Sequence, residues 1–138
     1  MKVLPHTYQD EDAKNAPSLE YDFAIQHAGG YTVRTYIAPT NNPHKYKGLR
    51  LAIQVDDDEP QIIDTLPEVF NAGDTDDMNW CRYVLDNGRY SDIKVELDAG
   101  GHQLRIIHVD AGVVLQKIEI AQRPSTSFYG YKPTYRVP

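Results

Sequence analysis

Leu104-Arg105-Ile106-Ile107-His108-Val109-Asp110-Ala111-Gly112-Val113-Val114-Leu115-Gln116-Lys117-Ile118-Glu119-Ile120 decides the fold class of this chain. Two runs rich in branched aliphatic residues, which favour extended backbone, flank Asp110-Ala111-Gly112. That triplet is a turn signal whose glycine suits a positive φ. Read on its own, the stretch predicts two strands closing on one another as a hairpin.

Outward from it, the same two-residue period recurs. Ile93, Val95 and Leu97 alternate with Lys94 and Glu96, and Leu49, Leu51, Ile53 and Val55 give the cleanest alternation of all. Leu19, Tyr21, Phe23 and Ile25 alternate with Glu20, Asp22 and Ala24. Across Ala28-Gly29-Gly30, Tyr31, Val33, Thr35 and Ile37 alternate with Thr32, Arg34 and Tyr36, so this pair also reads as a hairpin. Gln61-Ile62-Ile63 is a short strand, and Asn79 to Leu85 reads as a strand carrying Trp80 and Tyr83. Short alternating runs between turn residues are the pattern of an all-β sandwich or barrel. About eight or nine strands are expected from it, with one helical turn at most, around Leu66 to Phe70.

With 138 residues, 41% hydrophobic and 25% charged, the chain suits one globular domain. The sandwich is expected over residues 1–123, followed by a Pro- and Tyr-rich tail over 124–138. Twenty acids against 14 bases give a net charge of -6, which argues against nucleic acid or an anionic membrane as partner. No stretch approaches a transmembrane span. Cys81 is the lone cysteine, so neither an internal disulfide nor a Cys/His zinc cluster is available. Met1-Lys2-Val3-Leu4-Pro5 lacks the apolar run of a signal peptide. The expectation is a cytosolic protein or a piece of a longer chain whose signal lies elsewhere.

Few residues point to chemistry. Asp56-Asp57-Asp58-Glu59 is an acidic turn without the spacing of a calcium loop, and Asp74, Asp76 and Asp77 come closer to one beside Gly73. Both read as solvated acids. His108 and Asp110, two apart on an extended run, share a face and could touch as a base and its orienting carboxylate. No nucleophile is signalled beside them, so His108 reads as structural. The better lead lies in aromatic and polar loop residues. Sugars are held by stacking on a ring and by hydrogen bonds to amide, carboxylate or guanidinium groups. His44 and Tyr46 in the loop from Pro39 to Gly48, with Trp80, Tyr83, Asn87 and Arg89, are the candidate ligand-binding residues. Trp80 is read first as a sheet or core residue. Lys45 and Lys47 would add a small attraction for an acidic sugar.

Several of these stretches resemble one family. Ala99-Gly100-Gly101-His102-Gln103-Leu104-Arg105-Ile106, and Val109 to Ile118, are similar to the C-terminal β-sandwich domain of glycoside hydrolase family 115, the xylan α-glucuronidases. Ala16-Pro17-Ser18-Leu19-Glu20-Tyr21-Asp22-Phe23 resembles that domain's Pro-x-Leu-Glu-Tyr-Asp-Phe strand, and Leu49-Arg50-Leu51-Ala52 its strand running into an aspartate turn. Trp80, Val84 and Asn87 fit its Trp…Val-x-x-Asn spacing, and the similarity runs from Pro17 to Gly130.

The resemblance implies a jelly-roll-like antiparallel β-sandwich related to carbohydrate-binding modules. It implies a non-catalytic accessory role in domain packing, dimer formation or glycan contact. The expected partners are xylan or glucuronoxylan, the catalytic domain of a parent chain, or a second copy. An extracellular or periplasmic location within a secreted parent follows. The alternative is a free-standing carbohydrate-binding module for glucuronoxylan or a similar plant glycan. The family domain begins earlier, with a Glu-containing strand, whereas Met1 to Pro5 resembles the strand after it; the first strands are therefore expected to be missing. Without that Glu no structural metal is expected, nor any other cofactor. The family's Ser-Tyr-x-Gly-Pro-Pro-Glu-Ser ending is replaced by Ser127-Phe128-Tyr129-Gly130-Tyr131-Lys132-Pro133, so no tail role carries over.

Overall fold

The computed structural model describes residues 16–40, 48–66, 84–86 and 88–125 of the chain. Seven strands are seen among them: β1 (Ser18–Ile25), β2 (Gly29–Ile37), β3 (Leu49–Val55), β4 (Gln61–Leu66), β5 (Arg89–Leu97), β6 (Gly100–His108) and β7 (Leu115–Ala121). They form two antiparallel sheets, one in the order β1-β6-β3-β4 and the other β5-β2-β7. This is the expected β-sandwich.

The predicted alternation is realised as faces. Val33 and Ile37 of β2, Leu49, Leu51 and Ile53 of β3, and Leu104 and Ile106 of β6 meet between the sheets, each no more than 1% exposed. Burying one such side chain stabilises the fold by about 1.5–3 kcal/mol, so this layer holds the two sheets together. The central strands β3 and β6 are also covered on their far side. There Ala52, Ile107 and Val109 cluster with Ala16, which explains why Leu51-Ala52-Ile53 in the middle of β3 and Ile106-Ile107 near the end of β6 are apolar on both faces.

Both expected hairpins are corrected. β1 pairs with β6, with Ser18 opposite Ile107 and Ile25 opposite Gly100, while β2 pairs with β5 and β7 in the other sheet. The connection through Asp110-Ala111-Gly112 likewise carries the chain from β6 in one sheet to β7 in the other. Each is an arch between layers. Gly112 does adopt a positive φ, 104°, as its place in the turn required. A turn signal marks where the chain reverses, but not whether the next strand bonds to the last one or crosses the core. That is set by which inward faces must meet.

Asn79–Leu85 is a second correction. Val84 and Leu85 are helical, and residues 79–83 lie outside the described residues, as does the expected turn beyond Leu66. β4 extends through Leu66, longer than the three-residue strand expected.

The pairing gives the sandwich two ends. At one lie the connections β1–β2, β3–β4 and β5–β6, beside Ile25, Val55 and Leu97. At the other, β2, β4 and β6 finish and β3, β5 and β7 begin. Ile37 faces both Arg89 and Leu115 there, Leu49 faces Leu66, and Leu51 faces His108.

Candidate functional site

At this second end the chain leaves β2 at Ala38 and enters β3 after Gly48, leaves β4 at Leu66 and enters β5 after Gly88, and passes from β6 to β7 through residues 109–114. The described residues at its base are bonded to one another across both sheets. The Ala38 N–H donates to the Val114 carbonyl at 2.9 Å, the Asp110 N–H to the Arg50 carbonyl at 3.2 Å, and the His108 N–H to the Pro17 carbonyl at 2.9 Å. The Thr65 hydroxyl, buried, donates to the Leu49 carbonyl at 2.7 Å. The Asp110 carboxylate is fully buried and gripped by Arg50: Nε donates to Oδ2 at 2.7 Å, Nη2 to Oδ1 at 3.0 Å, and the Arg50 backbone N–H to Oδ2 at 3.1 Å. A buried carboxylate needs such a charged, bidentate partner. Strand register also slips at this end, between Tyr36 and Ile37 against β7 and between Leu49 and Arg50 against β4. Irregularities of this kind re-aim the chain where a sheet gives way to loops.

Arg89 begins β5 here, half-buried, with Nη1 screened from solvent. It sits on the strand face that turns toward the core, the face of Ser91 and Ile93. Before it, Gly88 has φ +143°, and a Cβ there would come within 2.5 Å of the Ile37 carbonyl oxygen. The backbone approach that starts β5 therefore requires glycine. Of the other sequence-predicted contact residues, His44, Tyr46, Trp80, Tyr83 and Asn87 lie outside the described residues. The chain that bears them enters and leaves through the bonded end.

His108 and Asp110 do not form a dyad. Asp110 turns to Arg50, and His108 points into the core, where Nε2 meets the Val113 carbonyl at 3.3 Å. Its Nδ1 has no hydrogen-bond partner among the described residues. Burial therefore holds the imidazole below the ordinary histidine range. Neither residue is arranged to activate a nucleophile or a water.

The outward face of β5-β2-β7 carries a network that the sequence reading did not assemble. Arg34 pairs with Asp92 through two bonds of 2.7 Å, donates from Nη1 to the Ser125 carbonyl at 2.6 Å, and lies 3.9 Å from the centroid of the Tyr90 ring. Asp92 raises the Arg34 pKa above its ordinary value. Tyr36 donates to Glu119 at 3.1 Å, and the Ser125 N–H donates to the same carboxylate at 2.7 Å. Burial pushes the Glu119 carboxyl up, but these donors and Lys117 outweigh it and leave it below the usual range. The segment after β7 is thus pinned over this sheet. Only the alternation of Arg34 with Val33 and Thr35 hinted at it.

Comparison with known proteins identifies the fold's owner. The model of the glycosyl hydrolase family 115 C-terminal domain matches residues 1–136. The chain belongs to that family. The match extends beyond the Pro17–Gly130 stretch that carried the resemblance. No curated protein sequence matches the chain. Among solved structures, a family 115 4-O-methyl-α-glucuronidase with specificity for decorated arabinogalactans superposes with a TM-score of 0.63 at 24% identity, over 78% of this chain. A family 35 carbohydrate-binding module from Clostridium thermocellum gives 0.52 at 18% identity, over 75% of this chain and 69% of its own. A carbohydrate-binding module of Cellvibrio mixtus lichenase 5A, in complex with cellotriose, gives 0.50 at 17%, over 78% and 72%. At these identities the family 115 C-terminal domain shares a fold with those modules. The chain spans 13% of the length of the glucuronidase.

Proposed function

We propose that this family 115 C-terminal domain is a non-catalytic accessory module of a secreted glycoside hydrolase, and that it contacts glycan with the end at which the chain passes from β2 to β3, from β4 to β5 and from β6 to β7. The observation that carries this reading is the bonded base of that end. Arg50–Asp110 ties the 109–114 connection to β3 of one sheet, and Ala38–Val114 ties it to the end of β2 in the other, so the base of this end is a single bonded platform. Rigid support beneath loops lets loop side chains bind without a large ordering cost.

In this reading Tyr46, Trp80 and Tyr83 offer ring faces to sugars, while His44, Asn87 and Arg89 bond hydroxyls or a carboxylate. Lys45 and Lys47 favour a uronic acid. Glucuronoxylan is the proposed ligand class; the glucuronidase neighbour, specific for decorated arabinogalactans, makes those the natural comparison. Affinity electrophoresis decides it. The chain should be retarded in gels containing glucuronoxylan, and less so as Tyr46→Ala or Trp80→Ala. Equal mobility in gels with and without glycan would remove the proposal.

A packing role is supported by a second feature. The inward faces of β1 and β7 leave an apolar cleft of about 580 Å³, lined in part by Tyr21, Phe23, Ile25, Leu115, Ile118 and Ile120, with Tyr21 43% exposed. Another domain of the parent chain is the proposed occupant, since the matched glucuronidase is mostly chain outside this domain. Tyr21→Ser in the parent enzyme should then speed hydrogen exchange along β1, and unaltered exchange would count against it.

A further inference from the structure

The sandwich end opposite the proposed glycan contacts is held by a histidine with acceptors on both ring nitrogens. His102 lies on β6, its side chain 10% exposed. Nδ1 faces Asp56 Oδ2 at 2.7 Å and Nε2 faces the Asp98 carbonyl at 2.8 Å. Asp56 opens the β3–β4 turn with φ 50°, a left-handed conformation that aspartate tolerates better than most residues. Its other oxygen, Oδ1, accepts the Gln103 N–H at 2.8 Å, and its own N–H donates to the Gln103 carbonyl at 2.8 Å. Asp98 lies in the connection that takes the chain from β5 in one sheet to β6 in the other. The His102 ring therefore bridges two turns, one of which joins the layers.

A neutral imidazole has one N–H and one lone pair. Facing two acceptors, it can bond one and must set its lone pair against the other. Only the imidazolium donates to both. When a single proton remains, it belongs on Nδ1, because a carboxylate accepts more strongly than a carbonyl. The charged groups acting on the ring are Asp56 from the β3–β4 turn and Asp98 from the β5–β6 connection. β1 presents only the Phe23 ring, 5.5 Å away between centroids, while its Asp22 accepts from Gln103 Nε2 at 3.4 Å, one residue along.

We propose that His102 is a protonation-dependent clasp. As the imidazolium it ties the β3–β4 turn to the inter-sheet β5–β6 connection; on losing a proton it keeps Asp56 and releases the Asp98 carbonyl. The ring titration follows from the same contacts, with the Asp56 carboxylate foremost in raising the His102 pKa. This inference does not depend on glycan binding.

Ring nitrogen NMR of the full 138-residue chain, titrated through neutral pH, tests it. His102 should change protonation above the ordinary value of 6.5. Its neutral form should carry the proton on Nδ1, and the backbone resonances of Asp98 to Gly100 should move with the same midpoint. Asp56→Asn, which keeps the turn's residue preference, should lower that midpoint and carry the backbone step with it. A wild-type midpoint at or below 6.5, a neutral form protonated on Nε2, or an Asp98–Gly100 backbone that ignores the titration would each overturn the clasp.

Discussion

Arg50 on β3 and Asp110 in the β6–β7 arch are joined four ways. Two side-chain bonds link guanidinium to carboxylate, and each residue's backbone N–H also donates to the other. Arg50 is 25% exposed at its side chain and Asp110 not at all. Removing the arginine strands a buried carboxylate, whereas removing the aspartate leaves an arginine that still reaches water. Arg50→Ala should therefore cost about 3–5 kcal/mol, and Asp110→Ala less. Urea unfolding of both variants checks the order.

His108 should make the fold acid-sensitive. Burial lowers its folded pKa, so below the ordinary value of 6.5 the unfolded chain binds a proton that the native chain resists. Its contribution is then complete above that pH and erodes as pH falls through 6.5 toward the folded pKa. His102 acts with the opposite sign. Its folded pKa is raised, so its contribution is complete below 6.5 and fades as pH rises through the folded value. His108→Leu should flatten the acid limb of a stability–pH curve and leave the limb above neutrality in place.

Gly88→Ala tests the close approach that begins β5. A Cβ would stand 2.5 Å from the Ile37 carbonyl, on a backbone at φ +143°. The expected loss is about 1–3 kcal/mol, the usual cost of such backbone strain, read as a lower midpoint in thermal or urea unfolding. Ala in place of Gly101, where nothing lies within 4 Å of the added atom, is the control expected to cost less.

On the outward face of β5-β2-β7, Arg34→Ala should destabilise more than Asp92→Ala. The arginine serves Asp92, the Ser125 carbonyl and the Tyr90 ring, while Asp92 is 35% exposed at its side chain. Loss of Asp92 is worth about 1 kcal/mol at such a site. Arg34→Ala should also make the chain after Arg123 easier to cleave by protease, because it loses a tether at Ser125.

The strands were legible because burial on one face of a sheet writes a two-residue period. Val33, Thr35 and Ile37 are buried where the alternation puts them, and Leu49, Leu51, Ile53 and Val55 face the core as read. The acidic turn at Asp56 was legible as well. Its partners His102 and Gln103 were not, since they lie more than 40 residues away in sequence. The site was read less completely. Spacing put His108 and Asp110 on one face and left contact between them open, with His108 read as structural; Asp110 belongs instead to Arg50, 60 residues away, which no local pattern could show. Tyr90 and Asp92 sit two apart, as any strand residues do, and only the pairing of β5 with β2 sets Arg34 between them.

Sequence alone determined the class of fold and the family, because side-chain alternation and short turn patterns are local properties of a chain. Tertiary structure decided the partners. Gly112 bends the chain after β6, but whether β7 lies beside β6 or opposite it depends on how Leu104 and Ile106 find Val33 and Ile37 across the core. Apolar burial is not directional, so it selects layers, and the layers then select which strands bond. That is why the stretch from Leu104 to Ile120 reads as a hairpin and folds as an arch.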